Sequence, residues 1–96
     1  MIVANLMEKK WLLRSFHVVS PEGVFEVTYD GKGMGYEEVL VNGEVACRMQ
    51  SLFWYVPKFD FFIGSLKSQI NVSVGASLQI RSFSLIVDGE VIYSEN

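Results

Sequence analysis

Cysteine, histidine and proline are almost missing from this 96-residue chain, which holds one Cys, one His and two Pro. The single cysteine, Cys47, excludes an internal disulfide. The single histidine, His17, stands 30 positions from that cysteine. The pair falls short of the three or four ligands a structural zinc site requires, so no metal is expected. Long apolar runs are missing too. The longest is the five residues 52–56, far from the roughly 20 needed to span a bilayer. The N-terminal MIVANLMEKKWLL carries its charges after its apolar stretch and lacks a small-residue cleavage site, so it does not read as a signal peptide. Positive charge is scarce and scattered, eight Lys and Arg against eleven Asp and Glu for a net charge of −3. Without a positive stripe to displace counterions, nucleic acid is not an expected partner. Together these absences point to a reducing, cytoplasmic setting.

What is present is apolar and aromatic: 50% of residues are hydrophobic and 14% aromatic. A chain of this length forms one domain, residues 1–96, and buries only about two-thirds of its unfolded surface. Some apolar surface is therefore expected to remain outside the core. Period-two alternation dominates, the mark of strands with one buried face. In QINVSV, Ile70, Val72 and Val74 oppose Gln69, Asn71 and Ser73. In FEVTY, Phe25, Val27 and Tyr29 oppose Glu26 and Thr28, and in EVACRM, Val45, Cys47 and Met49 oppose Glu44, Ala46 and Arg48. Further strands are expected over 12–19, 36–41, 52–56, 59–63, 78–87 and 91–94. A one-residue slip of the apolar phase at Arg81-Ser82 predicts a bulge. Only residues 1–10 have a helical option, with Ile2, Leu6 and Lys10 four apart and Val3 and Met7 likewise, which allows an N-terminal helix or arm, or equally a strand continuous with Trp11-Leu12-Leu13.

One phrase occurs twice, VLVNGEV at 39–45 and LIVDGEV at 85–91. Asn-Gly and Asp-Gly between apolar residues signal type I′ hairpins, because that turn needs positive φ at both central residues. Each phrase therefore marks a hairpin tip. The surrounding strand, loop, strand, turn, strand order repeats as well. The expected fold is an all-β, compact antiparallel sandwich of about eight strands from two similar meander halves. A closed barrel is the alternative.

No constellation for catalysis stands out. His17 falls opposite the apolar phase of SFHVV, facing solvent, and no neighbouring nucleophile and carboxylate complete a triad. Cys47 sits on the apolar face of its strand, where a thiol behaves as a small hydrophobe. Gly31-Lys32-Gly33-Met34-Gly35 suggests a phosphate cradle, yet YEEVLV after it reads as strand, so a hairpin loop is expected. Glu37-Glu38 and the acids at 22, 26, 44, 60 and 90 are expected on solvated sheet faces. The sequon at Asn71-Val72-Ser73 falls inside a strand and is set aside.

The aromatic run SLFWYVPKFDFF is the most unusual segment. Alternation buries Phe53, Tyr55, Phe59, Phe61 and Ile63 and leaves Trp54 and Phe62 on the opposite face. Ile86 and Ile92 are out of phase with their strands' buried sets. Trp54, Phe62, Ile86 and Ile92 are thus the candidate interaction surface.

At FWYVPKFDFFIG the chain resembles the Fas apoptotic inhibitory molecule family. The likeness rests on Phe53, Val56, Lys58, Phe61, Ile63 and Gly64. It continues in Ile70-Asn71-Val72 and in the hairpin Phe83, Leu85, Val87, Asp88, Gly89, with Gly23-Val24 and 39–43 upstream. It spans about residues 23–93. Ser51 stands where that family places a tryptophan, and this chain has one domain where members typically have two. The resemblance implies a compact antiparallel β-sandwich without enzymatic activity, in a family linked to protection from death-receptor signalling and protein aggregation. The expected function is a non-catalytic protein-interaction or structural domain, with no cofactor and a protein partner or a homodimer. The alternative is a small-ligand or carbohydrate-binding module that uses the aromatics of 53–62.

Overall fold

A computed structural model of the chain describes residues 1–33, 36–50 and 57–95. These residues are all-β and form nine strands: β1 Val3–Lys10, β2 Leu13–Ser20, β3 Gly23–Gly33, β4 Tyr36–Val41, β5 Glu44–Gln50, β6 Lys58–Ile63, β7 Leu66–Val74, β8 Ile80–Val87 and β9 Glu90–Glu95. β1 to β5 form one antiparallel sheet and β6 to β9 another, each in sequence order. Each is a plain meander, so every strand within a sheet pairs with the next one along the chain. The two sheets pack face to face, β5 near β6 on one side and β1 near β9 on the other.

The repeated phrase builds the same object in each sheet. Asn42 and Gly43 have φ of 52° and 80°, and Asp88 and Gly89 have 53° and 80°. Both turns thus carry positive φ at both central positions, as a type I′ hairpin demands. The likeness goes further than the turn. The Asn42 N–H donates to the Glu26 carbonyl at 2.7 Å, and the Asp88 N–H to the Lys67 carbonyl at 2.8 Å. Each tip is thereby tied to the strand that precedes its hairpin. Each hairpin also carries a bulge at one corresponding place: Ala46 is the extra residue between the Leu40–Val45 and Val39–Cys47 pairs, and Ile92 between Ile86–Val91 and Leu85–Tyr93.

The core follows the alternation. Phe16, Val18, Val27, Tyr29 and Val39 from the larger sheet meet Phe59, Phe61, Ile63, Ile70, Val72, Phe83, Leu85 and Val87 from the smaller one. Tyr29 sits edge-on to Phe59 and to Phe83, both at 5.6 Å between ring centres, and Phe16 stacks on Phe83 at 5.8 Å. Edge-to-face pairs of this kind add about 0.5–1.5 kcal/mol beyond the area they bury. Two polar bridges tie the sheets at their margins. Arg14 on β2 forks onto Glu95 on β9, Nε to Oε2 at 3.0 Å and Nη2 to Oε1 at 2.8 Å. At one end Glu22, in the β2–β3 turn, accepts from the Ser65 N–H at 3.0 Å and from the Ser65 hydroxyl.

Three expectations need correction. Residues 1–10 are no helix: β1 pairs along β2 from Val3–Val19 to Lys10–Leu13, with Met7 as the extra residue of a bulge. Ile2 and Leu6 lie in one strand phase ahead of the bulge, so a spacing of four there is twice the strand period. Gly31 to Gly33 are strand rather than loop, since β3 runs on to Gly33; residues 34–35 lie outside those described. Glu37 and Glu38 are not solvated. Glu37 is fully buried and accepts from the Tyr29 hydroxyl at 2.7 Å, while Glu38 is 7% exposed and bridges to Arg48 at 3.3 Å. The bulge expected at Arg81-Ser82 matches the β7–β8 register, where Ser73 faces Ser82 and Val74 faces Ile80. The expected strand over 52–56 falls outside the described residues.

Candidate functional site

The outer face of the four-stranded sheet carries the surface anticipated from the aromatic run. Inner residues of β6 alternate strictly with outer ones: the buried Phe59, Phe61 and Ile63 leave Lys58, Asp60 and Phe62 outside. Register then assembles rows across the sheet. Asp60 faces Gln69, Gln69 faces Ile86, and Ile86 faces Val91. In the next row Phe62 faces Lys67. Gln69 Nε2 donates to Asp60 Oδ1 at 3.1 Å and Asn71 Nδ2 donates to Gln69 Oε1 at 3.0 Å, which fixes the amides beside the exposed ring.

The residues singled out from sequence separate here. Phe62 is 60% exposed, a large ring standing in solvent. Ile86 is half-buried on the same outer face. Ile92 packs against the core instead, because the bulge it forms shifts its phase, and Val91 takes the outer position at 58% exposure. Trp54 lies outside the described residues. The structure therefore brings Phe62, Ile86 and Val91 to one face and removes Ile92 from it.

Two adjoining hollows indent this face. One, of about 310 Å³, lies in front of Ile86 and is walled by Asp60, Lys67, Gln69 and Asp88. The other, of about 420 Å³, lies beside Phe62 at the seam with β5, where Ala46 and Phe61 also line it, and shares Asp60 and Lys67 with the first. Neither Lys67 nor Asp88 has an ion-pair partner among the described residues. Sequence reasoning misses both. Lys67 opens a strand whose signal is its alternation, and Asp88 reads as turn chemistry alone.

The remaining polar groups are held in structural roles. His17 is half-exposed on the outer face of β2, in register with Asn5 and Glu26. Cys47 is half-buried; burial, then the Asp60 charge, pushes its thiol pKa above the ordinary value, which disfavours the thiolate. Glu95 is strongly perturbed, its pKa lowered to about 2 because Arg14 hydrogen-bonds its charged form. Tyr93 donates to Glu95 Oε2 at 2.5 Å, and burial followed by that bond pushes its own pKa up to about 12. Among the described residues no three His, Cys, Asp or Glu side chains converge as a metal site, and no helix is long and apolar enough to cross a membrane. A second exposed apolar row, Val3, Val19 and Val24 at 42%, 41% and 62%, crosses β1 to β3 on the outer face of the larger sheet. No family model, no curated protein and no solved structure matches this chain.

Proposed function

We propose that this chain is a non-catalytic protein-interaction domain, of the kind implied by its resemblance to the Fas apoptotic inhibitory molecule family, and that it works through the outer face of its four-stranded sheet. The observation that carries this reading is Phe62, 60% exposed on a regular strand, beside one hollow and on the same face as a second in front of Ile86. Aromatic rings are enriched in interface cores and dominate binding energy where they anchor in pockets. Edge pairing is the less favourable mode. Three of the four edge strands, β1, β5 and β9, carry a bulge, a device that turns an edge away from strand addition; the fourth, β6, is regular and keeps its charges Lys58 and Asp60 on the outer face. A cytoplasmic setting goes with this reading, since Cys47 is unpaired and buried enough to stay inert, and no nucleic-acid partner is included.

Site-specific photo-crosslinking in living cells tests it. A benzophenone side chain at position 62 is expected to capture protein, and the same group at position 24, on the other sheet, is not. Equal capture at both positions, or none at position 62, would show that this face is not the contact surface. A small-ligand or carbohydrate role draws support from the same hollows and the ordered Asp60-Gln69-Asn71 ladder. Failure of crosslinking together with saturable binding of a sugar at these residues would favour it.

A further inference from the structure

The shape and charge of this face favour one particular occupant, a second copy of the chain. Resting on the reading above, we propose that the outer face of the four-stranded sheet is an isologous homodimer interface, in which Phe62 of each chain enters the hollow in front of Ile86 of the other. Isologous pairing demands that one patch hold both members of every complementary pair, because a two-fold axis brings each residue onto its counterpart's neighbourhood. This patch meets that demand twice.

The first pair is a knob and a hole. Phe62 projects from β6 with 60% of its surface exposed, and the 310 Å³ hollow lies one row and two strands away, beyond Lys67 and Gln69. A cavity of about 150 Å³ already holds a benzene ring. The hollow therefore has room for a phenyl group, and Ile86 supplies an apolar floor. Rotation about an axis between the two features seats both rings at once.

The second pair is ionic. Lys67 and Asp88 both wall the same hollow, and neither has an ion-pair partner among the described residues of its own chain. The same rotation carries Lys67 toward the partner's Asp88, and the reverse, giving two equivalent contacts. A patch of one sign would call for a foreign partner of the opposite sign. A patch holding both signs with a ring and its socket complements itself. Val91, exposed beyond Ile86, extends the apolar margin. The patch is small against the roughly 800 Å² per partner of a standard interface, so the dimer should be weak, with Kd of about 10–100 µM.

Sedimentation equilibrium of the full chain from about 5 to 500 µM reads this directly. The wild type is expected to pass from monomer to dimer and stop there. Phe62→Ser and Lys67→Glu should each weaken association at least tenfold, Lys67→Arg should retain it, and Val24→Ser on the opposite sheet should leave it unchanged. The three positions are on the outer faces, so each variant should keep the wild-type circular dichroism and melting temperature. A wild-type chain that stays monomeric throughout, or a dimer indifferent to Phe62→Ser and Lys67→Glu, would overturn the proposal. Mass analysis of the crosslinked adduct separates this from the broader reading. An adduct of twice the chain mass supports the homodimer; an adduct at position 62 with some other mass keeps the interaction face and removes the second copy.

Discussion

At the scale of single residues, Glu95 concentrates the electrostatics of the molecule. Its carboxylate receives the fork of Arg14, whose side chain is only 5% exposed, and the Tyr93 hydroxyl, with Lys9 at 3.7 Å. This group ties the last strand to β2 in the other sheet, so its charge is coupled to the closure of the sandwich. Its folded pKa of about 2 lies below the ordinary 4.5. A depressed folded pKa contributes stability that is complete above the unfolded value and disappears as pH falls through the folded one. The window thus runs from about pH 5 down to about pH 2, and the contribution is about 3 kcal/mol, since each tenfold drop in proton affinity is worth about 1.4 kcal/mol. Glu95→Gln should cost a similar amount at pH 7 and should flatten the loss of stability between about pH 5 and pH 2.5, as measured by urea unfolding. None of this is visible from sequence. Positions 14 and 95 are 81 apart, and nothing local marks either as the other's partner. The buried Glu37 is hidden likewise, because its burial depends on where the Tyr29 hydroxyl ends up in the core.

At the scale of elements, the repeated Val-Asx-Gly-Glu-Val phrase proves to be more than a turn. It specifies a positive-φ tip, a tie back to the strand before the hairpin, and a bulge three residues past the glycine. Gly43 and Gly89 both face open space, so a side chain there meets no neighbour and the only penalty is backbone strain at φ 80°. Gly43→Val and Gly89→Val should therefore destabilise the fold by similar amounts, about 1–2 kcal/mol each, in chemical denaturation. Unequal costs would mean that one tip has a further role. The strands, the two hairpins and the Arg81 bulge are legible because period-two alternation and Asx-Gly turns are local signals. The first strand is not, since Met7 breaks its alternation and the Trp11-Leu12 turn has no glycine to announce it. The displacement of Ile92 has the same origin. A bulge moves every later side chain by one position, and its place is set by cross-strand hydrogen bonding rather than by the alternation of its own strand.

At the scale of the whole molecule, two meanders of five and four strands close over one aromatic core and leave two sheet faces outward. Bulges interrupt three of the four edge strands, β1, β5 and β9, while β6 is a regular edge, and two polar bridges tie the sheets at their margins. Of the two outward faces, the four-stranded one joins an exposed ring to adjoining hollows and to charges of both signs that lack ion-pair partners among the described residues. Half of the candidate surface, Phe62 and Ile86, follows from phase alone, whereas Lys67, Asp88 and Val91 require the register of three strands. The most direct test is the dependence of backbone amide chemical shifts on concentration, from about 10 to 500 µM. Self-association through this face predicts shifts grouped at positions 60, 62, 67, 69, 86, 88 and 91, with the remainder of the spectrum fixed. Shifts grouped instead at Val3, Val19 and Val24, or along the β1 edge, would contradict it.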